Sequence, residues 1–420
     1  MKRKLSLILI FILLLTAGCT QKVVQPVIDP VALLADAQRL AQNGNYKEAI
    51  LKYEAVIDIE PNNFDACLGL GRAYKKTGQT ESAIDVLREA YSLSAESNID
   101  AMHELFFSYM DVKKYQEAEK LAAEQWEATD NLAAGVLLTI ANVALEKYDT
   151  VAQLVENTEL KTAIDSYIDN GGSYLTHSTM KYAVAKSINP DVFGWITIPG
   201  SIIDFPIMKS TSDFYYYNHT LYNEENPNGS IYTYYNKARQ GRFYAITGSN
   251  ARGTAANNPG SPESLFHEVH HIYDNSLGFS RCQYNKCGAV FDSTTPNLQN
   301  YDSRLWIINI QGEERIWEVF STYQITDMET EEDNLELLYD NIWFDMHLED
   351  WGWSDQLDSF NTQTERSHGE INKWIQKQIS ASEIPFGINV GNEDLLTIVT
   401  CGTNSSYYGL RLYYFLHRVA

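Results

Sequence analysis

Cysteine is scarce in this chain, with 5 among 420 residues, which is too few for a disulfide-built scaffold of this length. Basic residues are also in deficit, since 32 Lys and Arg stand against 55 Asp and Glu, for a formal net charge of −23. Such a surface repels nucleic acid and anionic lipid headgroups, so the sequence predicts no nucleic-acid partner. After residue 15 no apolar run is long enough to span a membrane.

The chain begins with a charged segment, Met1–Lys4, followed by a short apolar segment, Leu5–Leu15. This pattern is typical of an export signal. The sequence up to Cys19, Leu-Thr-Ala-Gly-Cys, resembles a bacterial lipoprotein box. The resemblance implies that residues 1–19 are a signal segment and that Cys19 carries a lipid, which anchors the chain on the extracytoplasmic face of the membrane. An uncleaved signal anchor is the alternative and leaves the chain on the same side.

The length favours two domains, and the first of them is repetitive. Ala49, Ala83, Ala118 and Ala152 recur at intervals of 83 − 49 = 34, 118 − 83 = 35 and 152 − 118 = 34 residues. This spacing predicts a tetratricopeptide-like helical array over residues 30–160, followed by a linker over 161–185. Such arrays usually present a concave surface to a protein partner, and a rigid spacer is the alternative.

From residue 186 to 420 the helical period gives way to short apolar segments separated by Gly, Asn and Pro. About eight strands of even length favour a closed, mainly-β barrel. Helical insertions are predicted at Ser264–Asn275 and Glu365–Ile379. The predicted strands are Phe193–Ile198, Ile202–Ile207, Ser230–Tyr235, Phe243–Thr247, Leu305–Ile310, Ile316–Thr322, Leu395–Cys401 and Arg411–His417.

The last two strands carry the candidate site. Leu395–Cys401 is an apolar, β-branched run that ends in a polar turn, and Arg411 opens the strand that follows. An arginine beside a thiol favours the thiolate or holds the oxygen of an acyl intermediate. A buried core cysteine and an unrelated surface charge are the simpler interpretation.

A resemblance decides between these interpretations. Thr397-Ile398-Val399-Thr400-Cys401, followed by Arg411, resembles the Thr-Leu-x-Thr-Cys…Arg signature of sortases, with isoleucine in the place of leucine. Upstream, residues 189–200, 203–207 and 229–232 resemble successive blocks of class B sortases, in the order of that family. The resemblance runs from about residue 180 to the C-terminus.

The resemblance implies a cysteine transpeptidase that needs no cofactor. Sortases cleave a sorting-signal peptide of exported proteins and pass the thioacyl intermediate to an amine on a cell-wall peptide or a pilin. Cys401 is then the nucleophile and Arg411 the arginine of the site, with Thr397 and Thr400 beside the substrate. The repeats would contact a separate protein partner.

One residue departs from the family pattern. The family histidine lies in a Gly-His-Asn stretch, which here reads Gly248-Ser249-Asn250. Serine does not titrate near neutral pH and cannot replace a histidine as general acid. Three explanations remain open: a domain that binds sorting signals without transferring them, an inactivating change, or proton transfer by another histidine among His267, His270 and His271.

The same histidines support a rival hypothesis. His267-Glu268-Val269-His270-His271 satisfies the His-Glu-x-x-His pattern, in which His267 and His271 bind zinc and Glu268 activates water. Cys282 and Cys287 either bridge to each other or add metal ligands. A third hypothesis is a structural adaptor built on the repeats. Bound zinc on purified protein distinguishes the metalloprotease, and covalent labelling of Cys401 distinguishes the sortase.

Overall fold

The structure is a computed structural model that describes residues 29–199, 203–209, 215–217, 219–225, 229–233, 243–248, 305–325, 376, 378–382, 386–391, 394–401 and 411–420. The chain divides into two compact units, Met1–Glu127 and Ala128–Ala420. Within the described ranges, no helix combines the length and the apolar character needed to cross a bilayer.

The first unit is an array of helices, and the consecutive helices between Pro30 and Asp111 pack against one another. Ala49, Ala83 and Ala118, three of the four recurring alanines, have no exposed surface. Asparagine side chains at Asn63 and Asn98 cap two of the helices by accepting a backbone N–H of the first turn. The helices are α1 (Pro30–Gln42), α2 (Tyr46–Ile59), α3 (Phe64–Lys76), α4 (Thr80–Leu93), α5 (Ile99–Asp111) and α6 (Tyr115–Thr129), whose last two residues fall in the second unit.

Close approach and ion pairing hold these helices together. A Cβ atom on Gly71 of α3 would lie 2.4 Å from Cγ of Leu87, so the packing of α3 on α4 requires glycine there. Between α3 and α5, Glu104 accepts hydrogen bonds from Lys75 at 2.7 Å and Arg72 at 3.0 Å. Burial disfavours the charged carboxylate, but these two cations outweigh it and keep the pKa of Glu104 below its ordinary value.

The second unit begins with four more helices. They are α7 (Leu132–Ala144), α8 (Tyr148–Leu154), α9 (Thr158–Asp169) and α10 (His177–Ile188). The fourth recurring alanine, Ala152, is only half-buried. Residues 161–185, the predicted linker, contain most of α9 and the first part of α10. The chain is divided into its two units between Glu127 and Ala128 instead.

The rest of the second unit is a closed barrel of eight strands, as the sequence predicts. The strand order around the barrel is β1-β2-β3-β4-β7-β8-β6-β5. Residues 378–381 are helical and agree with the end of the second predicted insertion, whereas Ser264–Asn275 lies outside the described residues. The strands are β1 (Val192–Thr197), β2 (Asp204–Met208), β3 (Ile231–Thr233), β4 (Phe243–Gly248), β5 (Leu305–Ile310), β6 (Glu313–Ile325), β7 (Leu395–Cys401) and β8 (Arg411–Arg418).

Alternate residues of the strands fill the barrel interior. Trp306 and Trp317, which have no exposed surface, face each other across β5 and β6 and anchor this core. The core also contains Ile196, Ile207, Ile231, Ile246, Ile308, Leu396, Ile398, Tyr414 and Leu416.

Helix α10 packs on the outside of the barrel against β1, β2 and β5. Lys181 of the helix donates to Asp204, which also accepts hydrogen bonds from Trp195 Nε1 at 2.7 Å and Thr197 Oγ1 at 2.8 Å. Desolvation raises the pKa of Asp204, but these donors outweigh it, and the net pKa is lowered. Asp204 therefore joins α10, β1 and β2 through one ionised carboxylate.

Replacing Gly194 with alanine is expected to destabilise the barrel. A Cβ atom at this position would lie 2.2 Å from the carbonyl oxygen of Asn309, so β1 would have to move away from β5. Overpacking of this kind typically costs about 1–3 kcal/mol. Urea unfolding monitored by tryptophan fluorescence measures the loss, and an unchanged midpoint would show that β1 does not approach β5 this closely.

Candidate active site

Cys401 and Arg411 are register partners in two neighbouring strands. They are opposite residues of the antiparallel pair formed by β7 and β8, at the last residue of β7 and the first of β8. On its other side, Arg411 is paired with Ile325, the last residue of β6. Three strand ends therefore converge at this point of the barrel.

The alternation of side chains along β7 and β8 assigns both positions to the outer face of the barrel. Ile398 and Tyr414 are register partners that belong to the core. Cys401 lies three residues after Ile398, and Arg411 lies three residues before Tyr414. Since successive residues of a strand alternate between faces, positions 401 and 411 share the face opposite the core.

Thr397 and Thr400, the predicted substrate-binding threonines, occupy different faces. Thr397 is an even number of residues from Cys401 and shares its outer face, while Thr400 is an even number of residues from the core residue Ile398 and shares the inner face. Thr400 pairs with Gly248, the last residue of the parallel strand β4. The end of β4 is therefore adjacent to the end of β7.

Ser249 follows Gly248 directly in the sequence and lies outside the described residues. The same is true of Cys19, Cys282, Cys287, His267, His270 and His271. Among the residues with described positions, no group of three or more His, Cys, Asp or Glu side chains is arranged to hold a metal ion. The zinc hypothesis rests on His267 and His271 and stays a prediction.

The opposite end of the outer face is covered. Phe415 and His417 of β8 are buried, and His417 Nε2 lies 3.4 Å from Oε2 of Glu318. Ser321 Oγ donates to the carbonyl oxygen of Gln378 at 2.7 Å, so the helical residues 378–381 lie against β6. His417 and Arg411 are six residues apart along β8, which is about 20 Å of extended strand. The Cys401 end is thus well separated from this covered end.

The connection between β2 and β3 covers another part of the outer face. Tyr216 is buried, and its hydroxyl donates to Asp191 Oδ2 at 3.0 Å and accepts from Asn189 Nδ2 at 3.0 Å. Burial, together with the nearby Asp191, raises the pKa of Tyr216 despite the opposing Asn189 hydrogen bond. The tyrosine therefore stays protonated and fastens this connection to the start of β1.

The same connection carries His219, a histidine that the sequence patterns do not single out. Nδ1 of His219 lies 2.7 Å from the carbonyl oxygen of Tyr215. The two rings stack with centroids 4.0 Å apart and planes 10° apart. The backbone carbonyl of His219 accepts a hydrogen bond from Ser230 Oγ at 2.8 Å. In the sequence, only the spacing of four residues between Tyr215 and His219 indicates that these two rings could stack.

Comparison with known proteins agrees with this architecture. A tetratricopeptide-repeat family model matches residues 40–91. Sortase B of Listeria monocytogenes is 36% identical over 55 residues, which is 13% of this chain and 22% of the relative. The C-terminal part of the chain is similar to class B sortases. The chain therefore matches only about a fifth of the length of that curated relative.

Solved structures of sortase B show a limited similarity to this chain. Sortase B of Clostridium perfringens gives a TM-score of 0.37 at 19% identity, covering 56% of this chain and 98% of that chain. A Staphylococcus aureus sortase B structure gives a TM-score of 0.40 at 13% identity, covering 63% of this chain and 97% of that chain.

Proposed function

We propose that the chain is a cysteine transpeptidase of the sortase B type, which acts on a sorting-signal peptide of exported proteins. The observation that carries the proposal is the direct pairing of Cys401 with Arg411 at one end of the outer face. Opposite residues of an antiparallel pair have Cβ atoms about 4.5–5.5 Å apart, so a thiol and a guanidinium at these positions can act on one carbonyl group.

The proposed chemistry assigns one role to each residue. The thiolate of Cys401 attacks the carbonyl carbon of the peptide and forms a thioacyl intermediate. Arg411 donates hydrogen bonds to the oxygen that becomes negatively charged during the attack. An amine on a cell-wall peptide or a pilin then attacks the intermediate and releases the thiolate. The position of Thr397 shares the outer face with Cys401, so Thr397 would lie beside the peptide, whereas the position of Thr400 is on the face that belongs to the core.

The reaction also needs a group that transfers protons to and from the two amines, and Ser249 cannot be that group near neutral pH. His267, with His270 and His271, is the candidate predicted from the sequence. If no histidine does this, the domain is a module that binds sorting signals without transferring them. The serine at position 249 favours this second function, which we retain as the alternative.

Transpeptidation with a mixed library of sorting-signal peptides and a glycine amine tests the proposal, run on the unaltered chain and on Cys401→Ala. Transfer products that require Cys401 would support the transpeptidase. Peptide binding by both proteins, without product from either, would support the binding module. Peptide hydrolysis that survives Cys401→Ala and stops on addition of a chelator would support the zinc protease of His267 and His271 instead.

We also propose that a lipid on Cys19 holds the chain on the extracytoplasmic face of the membrane, where exported substrates pass. The apolar segment and the lipoprotein-like box before Cys19 support this. Cys19→Ser is expected to release the protein into the medium, measured by fractionation and immunoblotting. Retention of the variant at the membrane would point to an uncleaved signal anchor.

The helical array is the proposed site for a separate protein partner. Its support is the family-model match over residues 40–91 and the repeat spacing of the alanines. A rigid spacer between membrane and barrel is the alternative for this part of the chain.

A further inference from the structure

His219 has the features of an oriented proton-transfer group. A carbonyl oxygen only accepts hydrogen bonds, so Nδ1 of His219 carries the proton that Tyr215 accepts at 2.7 Å. In the neutral ring the lone pair is then on Nε2. Stacking on Tyr215 fixes the plane of the ring, and the residue is only half-buried. The ring is thus held in one tautomer while part of it remains accessible.

The strand register brings His219 to the same end of the barrel as Cys401. Ser230 Oγ donates to the carbonyl of His219 at 2.8 Å, and Ser230 directly precedes β3. The start of β3 lies beside the end of β4, because Tyr232 pairs with Thr247. The end of β4 in turn lies beside the end of β7. Two strand spacings separate β3 from β7, which places the backbones of Ser230 and Cys401 about 10 Å apart.

The backbone of His219 and position 401 both lie on the outer face of the barrel. Ile231 belongs to the barrel core, whereas Tyr232 packs outside it with Met208 and Tyr216. Ser230 alternates with Ile231 and therefore lies on the outer face, where its hydroxyl meets the His219 backbone. Position 401 is on this face by the same alternation.

The other described histidines occupy different surroundings. His103 lies in α5, within the first unit. His177 Nε2, at the start of α10, is 2.9 Å from Oδ1 of Asp169 at the end of α9. His417 lies beside Glu318 at the covered end of β8. Of the histidines within the described ranges, His219 is the one at the Cys401 end of the barrel.

Building on the proposed function, we infer that His219 transfers the protons of the peptide exchange at Cys401. In the first half, the thiolate forms the S–C bond, the C–N bond breaks, and the leaving nitrogen takes a proton from Nε2 of the His219 imidazolium. In the second half, the incoming amine forms the new N–C bond and gives a proton to Nε2, while the S–C bond breaks. Thiolate and imidazolium are restored, and no other reactant is consumed.

His219→Asn tests this inference, because an asparagine amide can still donate to the Tyr215 carbonyl but does not titrate. The variant is compared with the unaltered chain on two forms of one sorting-signal peptide. One form has an amide at the cleaved bond, and the other has an alkyl thioester, whose leaving thiolate needs no proton. In a single turnover without an amine acceptor, so that only the first half of the exchange is followed, cleavage of the amide is expected to fall about 10²–10⁴-fold, while cleavage of the thioester changes little. His103→Asn is the matched control and should affect neither substrate.

Equal amide cleavage by His219→Asn and the unaltered chain would overturn the inference, provided that Cys401→Ala abolishes both reactions. An equal loss on amide and thioester would also overturn it, since that pattern indicates a structural role. A thermal unfolding curve of each variant identifies loss of folding. If Cys401→Ala leaves both reactions intact, the proposed function itself fails, and this result is distinct from a failure of His219 alone.

Discussion

Replacing Arg411 with alanine is expected to lower the rate of peptide transfer by about 10²–10³-fold, the usual effect of removing one oxyanion donor. Arg411 is the register partner of Cys401 and the first residue of β8. Its guanidinium stays charged at any pH used for the assay. The loss should appear in kcat, because the carbonyl oxygen of the peptide becomes negatively charged, and is stabilised by Arg411, only in the transition state. Single-turnover cleavage of a sorting-signal peptide measures it.

Arg411→Lys is the matched control, because it keeps the positive charge and loses the planar set of donors. We expect its rate to lie between those of the unaltered chain and Arg411→Ala. If kcat were unchanged in Arg411→Ala while the barrel remained folded, Arg411 would have no role in the chemical step. An increase in KM alone would show that Arg411 binds the peptide and does not stabilise the oxyanion.

Replacing Ser249 with histidine is expected to restore amide cleavage to the His219→Asn chain by about 10²–10⁴-fold. Ser249 is the residue after Gly248, and Gly248 is paired with Thr400, which precedes Cys401. A histidine at this point of the sequence would resemble the sortase pattern and supply the missing titrating group. In the otherwise unaltered chain the same change should have little effect, because His219 already transfers the proton.

The opposite pattern would contradict the role of His219. If Ser249→His in the otherwise unaltered chain raised the rate of amide cleavage by about 10²–10⁴-fold, no histidine would be transferring the proton in the unaltered chain. The sequence-based candidate is tested in parallel by His267→Ala. Loss of amide cleavage in that variant, with His219→Asn still active, would assign proton transfer to His267.

The sequence predicts the helical array and the barrel because both depend on local periodicity. Ala49, Ala83 and Ala118 recur at a fixed interval, since a small residue is needed wherever two helices of a repeat approach, and all three are fully buried. In the barrel, the alternation of apolar residues marks each strand, as Leu396 and Ile398 illustrate in β7. The sequence pattern is less regular at the ends of strands, so their bounds are predicted less well. For example, β2 begins at Asp204, two residues after the predicted start.

Contacts between segments that are far apart in the sequence are harder to predict from it. Asn170-Gly171-Gly172-Ser173 predicts a linker, but a tight turn between α9 and α10 has the same composition. In the structure, Tyr182 of α10 packs with Met208 and Tyr232 of the barrel. Such packing has no fixed spacing along the chain, so periodicity cannot reveal it.

The candidate site was predictable only in part for the same reason. The Cys401 and Arg411 pair follows from two adjacent strands joined by a short loop. The contact between Ser230 and His219 depends instead on how the β2–β3 connection folds back on the barrel. The stacking of His219 on Tyr215 could have been suspected from their spacing of four residues, but an aromatic run such as Tyr215–Tyr217 usually indicates packing.

Trapping the thioacyl intermediate would show directly whether Cys401 is the nucleophile. The chain is mixed with a sorting-signal peptide in the absence of an amine acceptor, quenched in acid, digested and analysed by mass spectrometry. Cys67 is the internal control, because it is 1% exposed and burial, aided by Glu89, raises the pKa of its thiol. We predict an acyl group of the peptide's N-terminal fragment on Cys401 and none on Cys67. Cleaved peptide in the same mixture, with no acyl group on Cys401 at any time point, would contradict this prediction.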